Sequence, residues 1–388
     1  MAYNPQILDD LLRSRAISRS ALSERIGIER ADLERELRRD PEPKQSILNT
    51  IAKELALPPF VFYMQTAPKL QQVIPDFRST TPAPSPKSRE TLAIVDYAAG
   101  IQELAIKLGA SPARGLMWLD PSETQGIDKA AHSARTYFNI TLQDQLDAKD
   151  VKAFYVLCRK RIEDAGIFVL QETFPEKDGS GFCLAHSTHP VIVINTKRQN
   201  SARRLFTLIH ELAHVLTRKT GISDPFVRRN AIEVYCNSFA STFLVPANYV
   251  GPLLGAKKVV REPEPSDVQW VARKFKISQQ ASILRLEQLG LVKAGSHDKW
   301  LALMKDANPD WKNKGGGAGG PPPQEKVKLA KYGFRFAEQF GSMLANHQID
   351  PLRLYRATGL KPKYQQPYIQ FTSAIGVEEL RKLELEDE

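Results

Sequence analysis

The feature that most constrains this chain is the segment 201–218, where Leu205, Leu208, Ile209, Leu212, Val215 and Leu216 form an apolar stripe. That spacing predicts a helix whose stripe faces a core, with Ser201 as its expected N-cap. The same helix carries His210 and His214. Each imidazole brings two ring nitrogens that must be satisfied if the helix is buried. The fold must therefore lay a further polar element, a bound ion, or both against this face.

His210 and His214 stand at i and i+4, so they project from one face about one turn apart, a separation that lets both bind one tetrahedral cation. Glu211 sits beside the first ligand, placed to take a proton from water rather than to bind the ion. A third ligand is required. The longer three-histidine pattern fails, because Thr217 and Thr220 stand where it needs glycine and histidine. Asp224 is near in sequence but precedes Pro225 in an apparent loop. Glu233, in the helical run 231–240, is the better candidate, and two histidines with one glutamate leave a fourth position open for hydrolysis. Asn237 lies one turn beyond Glu233, where its side-chain oxygen can accept from the far nitrogen of His210 and fix the tautomer. Phe239, Ala240, Phe243 and Leu244 read as core, and Cys236 as a packed thiol. Zinc is the expected ion, and manganese suits the same ligands.

The rest of the chain divides by composition. Residues 1–65 read as short helices, with Ser18 as an N-cap, Gly27 as a stop, and further helices over 30–38 and 46–55. Two short helices across a glycine turn are a helix-turn-helix signal. Residues 66–89 are a linker rich in proline, serine and threonine. Residues 90–255 combine helices over 90–108, 128–138 and 150–165 with short strands over 167–170, 182–186 and 191–194, directly before the His210 helix. Residues 256–304 form a second two-helix unit, with Ser266 and Ser278 as N-caps and Gly290 as a stop. Residues 305–325 are a Gly/Pro segment, and 326–388 a basic C-terminal region, helical over 326–360. The expected class is α+β, mostly helical, with a small sheet packed on the His210 helix.

Charge narrows the partners. The formal net charge is +10 over 388 residues, which favours an acidic partner. Residues 1–60 hold ten Lys/Arg and ten Asp/Glu, so the excess lies after them. The second helix of the N-terminal pair carries Glu29, Asp32, Glu34 and Glu36, which would face phosphates at a cost. Arg273, Lys274, Lys276 and Arg285 make the 266–291 unit the better nucleic-acid candidate on charge, with a packing module as its other reading. Three separated cysteines, Cys158, Cys183 and Cys236, argue against a disulfide framework. No run of eighteen apolar residues and no apolar leader occur, so a cytoplasmic protein with no membrane span is expected.

The stretch Arg204 to His214, with Glu233-x-x-x-Asn237-x-Phe239-Ala240-x-x-x-Leu244-Val245-Pro246, resembles the ImmA/IrrE metallopeptidases. The run Pro190 to Asn195 fits the same family, as do Tyr332 to Phe336 after the Gly-rich stretch. The N-terminus, closing on Leu57-Pro58-Pro59-Phe60, resembles an Xre-type DNA-binding domain. The resemblance implies a cytoplasmic gluzincin-like zinc endopeptidase that cleaves an Xre-type repressor in a stress-response or mobile-element circuit. It implies His210, His214 and Glu233 as ligands and Glu211 as general base. It further implies an assisting histidine or tyrosine, for which His186, His189, Tyr235 and Tyr332 are candidates. Two other functions fit parts of the same sequence. One is a DNA-binding transcriptional regulator with a structural metal site. The other is a protein-interaction module.

Overall fold

The computed structural model describes residues 2–68, 75–76, 83–84, 87–113, 115–120, 126–223, 231–254, 264–307, 322–376 and 379. Asp224 and the segment Gly315–Gly320 lie outside them.

Four helices and a 3-10 turn open the chain: α1 Pro5–Ser14, α2 Arg19–Ile26, α3 Arg30–Leu37 and α4 Gln45–Glu54, then Pro59–Tyr63. Ser18 caps α2 by accepting from the Ala21 N–H, and Gly27 ends it in the left-handed region at φ 68°. These elements close a core of their own from Ile7, Leu8, Leu11, Leu22, Leu33, Leu48, Ile51 and Phe62, joined by Leu92 from beyond the linker.

Two-residue strands β1 (Pro75–Asp76) and β2 (Ala83–Pro84) follow, then helices α5 Arg89–Lys107, α6 Ile127–Tyr137, α7 Leu142–Asp147 and α8 Val151–Asp164. Next come strands β3 Phe168–Glu172, β4 Gly181–Leu184 and β5 Val191–Asn195, helix α9 Ser201–Leu216, strand β6 Gly221–Ser223 and helix α10 Ala231–Leu244. The six strands are ordered β2-β1-β6-β4-β5-β3. β3 runs parallel to β5 with Phe168 opposite Val191, and β4 antiparallel to β5 with Gly181 opposite Ile194. All five residues of β5 are buried, as expected for a strand covered on both faces. The fold is thus α+β and mostly helical, with the small sheet directly before and beneath α9.

Helix α9 begins one residue earlier in its cap than its sequence suggests. Asn200, not Ser201, accepts from the Arg203 N–H, leaving Ser201 as the first helical residue. The later unit starts likewise at Glu264 rather than Ser266. Glu264 and Asp267 form a reciprocal capping box around Pro265, which suits a first helical position.

Helices α11 Ala247–Leu254, α12 Pro265–Phe275, α13 Gln279–Gln288, α14 Ser296–Ala307, α15 Gln324–Ala345, α16 Pro351–Thr358 and α17 Pro362–Ala374 complete the described chain. The expected helix over 326–360 is two helices, α15 ending at Ala345 and α16 starting behind the Asp350 cap. One continuous apolar core runs from Val95 to Tyr368 through the sheet, α9, α10, α13 and α15.

Within α15 the backbone breaks at Gly333, with φ 85° and ψ −177°, a conformation open essentially to glycine alone. A Cβ there would fall 1.8 Å from Glu163 Oε1. The break releases the Phe334 N–H, which donates to Glu163 Oε2 at 2.8 Å. Glu163 and Arg159 are both fully buried on α8. Arg159 donates to the Ala330 carbonyl of α15 and to the Val169 carbonyl of β3. Burial pushes the Glu163 carboxyl up to about 7, against the pull of Arg159.

Candidate metal centre and active site

Helices α9 and α10 cross so that their polar faces meet inside the core. His210, Glu211, His214 and Glu233 have no exposed surface, and Asn237 is also buried. The apolar stripe of α9 explains the burial, since it packs on β4 and β5 and carries both histidines inward with it.

Ligand atoms from three residues converge. His210 Nε2 and His214 Nε2 are 3.1 Å apart, Glu233 Oε1 is 3.0 Å from His214 Nε2, and Glu233 Oε2 is 3.4 Å from His210 Nε2. Ligand bonds of about 2.0–2.1 Å in tetrahedral geometry place neighbouring donor atoms about 3.3 Å apart. The observed separations lie near that value, and with one donor atom per residue all three lie within 4.8 Å of one another, so these residues can hold a single small divalent cation. Asn237 Oδ1 lies 3.1 Å from His210 Nδ1. With Nδ1–H donating to that oxygen, Nε2 keeps its lone pair for an ion.

The electrostatics agree with ligand-ready protonation states. Burial would raise the Glu233 carboxyl, but the His210 and His214 rings bonded to it outweigh burial and hold it below its ordinary value. Burial holds His214 below its ordinary value despite Glu233. A neutral imidazole and an ionised carboxylate are the forms that bind cations.

The structure brings together His210, His214, Glu233 and Asn237, with Glu211 on the same buried helix. The remaining candidates have other engagements. Thr217 bonds back to the Ala213 and His214 carbonyls, and Thr220 accepts from the Ala185 N–H at the end of β4. His186 Nδ1 accepts from the Thr188 and His189 N–H groups in the β4–β5 turn, and the His189 ring contacts the Ala110 carbonyl at 3.0 Å. Tyr332 donates to the Thr358 carbonyl in an aromatic cluster with Phe336 and Tyr368. Tyr235 is buried on α10. Cys236 is a buried thiol, raised by burial and then by Glu233 and Glu211.

Sequence reasoning overlooked the wall formed by β4. Burial and then Glu211 push up the Cys183 thiol of that strand, and Gly181 two residues earlier lies against Glu211 Oε1. The signal was available, as a strand alternating small Gly181 and Cys183 with large Phe182 and Leu184. The clamp on α10 was also unforeseen. Arg135 donates to the Phe243 carbonyl, Gln145 to the Leu244 carbonyl and Arg285 to the Val245 carbonyl, at 2.8–2.9 Å. Two buried cations thus satisfy the carbonyl end of the helix that carries Glu233. Arg285, a nucleic-acid candidate by charge, is spent in this clamp, whereas Arg273 and Lys274 are exposed.

No curated protein matches the chain. A peptidase family model, described as the IrrE N-terminal-like domain, matches residues 162–287. The matched stretch runs from the end of α8 through α13 and contains β4, α9 and α10 with all the converging side chains. Sequence match and buried His-His-Glu geometry together support a metallopeptidase-type function and the ImmA/IrrE likeness for this part of the chain.

Proposed function

We propose that the chain is a zinc-dependent endopeptidase whose substrate is a protein, of the Xre repressor kind that the family resemblance implies. The observation that carries the proposal is the spacing of His210, His214 and Glu233, whose donor atoms all lie within 4.8 Å of one another around one potential cation position. A divalent cation there would supply a Lewis acid for the scissile carbonyl and would acidify water.

The side chains do the remaining work. Glu211 follows His210 directly on α9, is fully buried, and lies with Glu233 against the Cys183 and Cys236 thiols, which keeps its carboxylate beside the ligand cluster without making it a ligand. It accepts a proton as the water oxygen bonds to the peptide carbon. It then gives that proton to the amide nitrogen as the C–N bond breaks. Asn237 keeps the His210 ring in one tautomer and orientation. A purely structural metal site needs the three ligands but has no use for a second buried carboxylate beside them. That favours the hydrolytic reading over a regulator with a structural ion.

The test is cleavage of a quenched-fluorescent peptide library and of Xre-type repressors by the zinc-loaded chain. Chelation should abolish cleavage and zinc should restore it. Glu211→Gln should retain zinc and lose about 10²–10⁴-fold in rate. Full cleavage by that variant would refute the catalytic assignment.

A further inference from the structure

Gly181 opens β4 in the middle of the sheet, paired with Ile194 on one side and Ser223 on the other. Its φ lies outside the left-handed region, so backbone freedom does not explain a glycine there. A glycine inside a strand otherwise marks the close approach of another group. Here the group is identifiable. A Cβ on Gly181 would lie 2.9 Å from the Val193 carbonyl oxygen, 2.9 Å from Thr207 Cγ2 and 3.0 Å from Glu211 Oε1.

These contacts come from two walls. Val193 is fixed by pairing with Phe182 across β4–β5. Thr207 and Glu211 are i and i+4 on α9, so they present one face of the helix to the strand. Thr207 is fully buried, and its β-branched side chain has little rotamer freedom in a helix. Of the crowded atoms, only the Glu211 carboxylate is the far end of a flexible side chain. An added methyl would displace it first.

We infer that Gly181 and Thr207 are positioning residues for the Glu211 carboxylate. The bare backbone at 181 is the seat on which the carboxylate rests, and the Thr207 methyl is the side wall. The inference rests on Glu211 as the proton carrier proposed above. It adds that the orientation of that carboxylate is set by β4, and not by α9 alone.

The experiment uses the zinc-loaded full chain and the peptide library, with zinc content and melting temperature measured for every variant. Gly181→Ala should lower kcat by about ten-fold or more while KM stays within about two-fold, with zinc retained, because small misplacements of a catalytic group are costly. Adding Thr207→Ser, which removes Cγ2, should restore part of the loss. In the Glu211→Gln background under single-turnover conditions, Gly181→Ala should cost nothing further.

Wild-type kcat in folded, zinc-loaded Gly181→Ala would overturn the inference, as would an equal loss in the Glu211→Gln background. Should Gly181→Ala not fold, Thr207→Ser alone decides. A several-fold lower kcat with zinc retained supports the seat, and an unchanged kcat overturns it. A fully active Glu211→Gln would instead remove the proton-carrier reading itself.

Discussion

At the scale of single residues, the site is a set of polar groups whose burial is tolerable only because each has a partner. Asn237 is the clearest case outside the ligands. It occupies one turn of α10 beyond Glu233 and contacts the ring nitrogen of His210 that faces away from the ligand cluster, at 3.1 Å. Asn237→Ala should leave the fold intact and weaken zinc binding by about 10–100-fold, measured by competition with a chelating dye. Unchanged affinity would show that His210 needs no orienting partner. The roles proposed for His210, His214, Glu233 and Asn237 were legible in the sequence because helical spacing fixes which residues share a face. The seat at Gly181 was not, because it depends on how closely a strand far along the chain approaches that face.

At the scale of elements, the join between α8 and α15 carries a buried acid whose ionisation is tied to folding. Glu163 receives the Phe334 N–H freed by the break at Gly333 and faces Arg159 of its own helix. Its carboxyl titrates at about 7 in the folded chain, against an ordinary value of 4.5. The folded state therefore holds a proton that the unfolded state has already released between those values. Stability from this group is full below about 4.5 and is lost as pH rises through about 7. The melting temperature of the wild type should fall between about pH 4.5 and pH 7, and Glu163→Gln, which stays neutral, should flatten that fall. An unchanged slope in the variant would assign the pH dependence elsewhere. Periodicity indicated helix throughout this C-terminal region but gave no sign of the break. Gly333 looks like any helical glycine until its contact with α8 is seen.

At the scale of the whole molecule, the N-terminal module is attached by more than a linker. Arg15 is almost fully buried and makes a two-pronged pair with Asp96 of α5, one prong at 3.0 Å, while Arg25 donates to the Lys87 carbonyl. Leu92, also on α5, completes the module's core. On α3, Asp32 pairs with Arg35, Glu34 with Arg19 and Glu36 with Lys44, so these three acidic residues are paired within the module. Arg15→Ala should remove about 2 kcal/mol or more, reduced from the cost of breaking a fully buried pair because Asp96 is partly exposed. It should also split the calorimetric transition, with the module melting first. A single unshifted transition would mean that the apolar contact through Leu92 suffices. No described helix is long and apolar enough to cross a membrane.

What the sequence determined by itself was local. The 3.6-residue period placed the histidines on one face and set Glu233 and Asn237 one turn apart on a second helix, while Thr217 and Thr220 stand where a three-histidine pattern needs glycine and histidine. Those inferences need only the geometry of a single element. The tertiary structure decided everything that depends on two elements meeting. It set the distances among the ligand atoms, the bare strand under Glu211, the arginines ending α10 and the arginine holding the N-terminal module. Such contacts join residues up to 108 positions apart, and only the packed core brings them within bonding range.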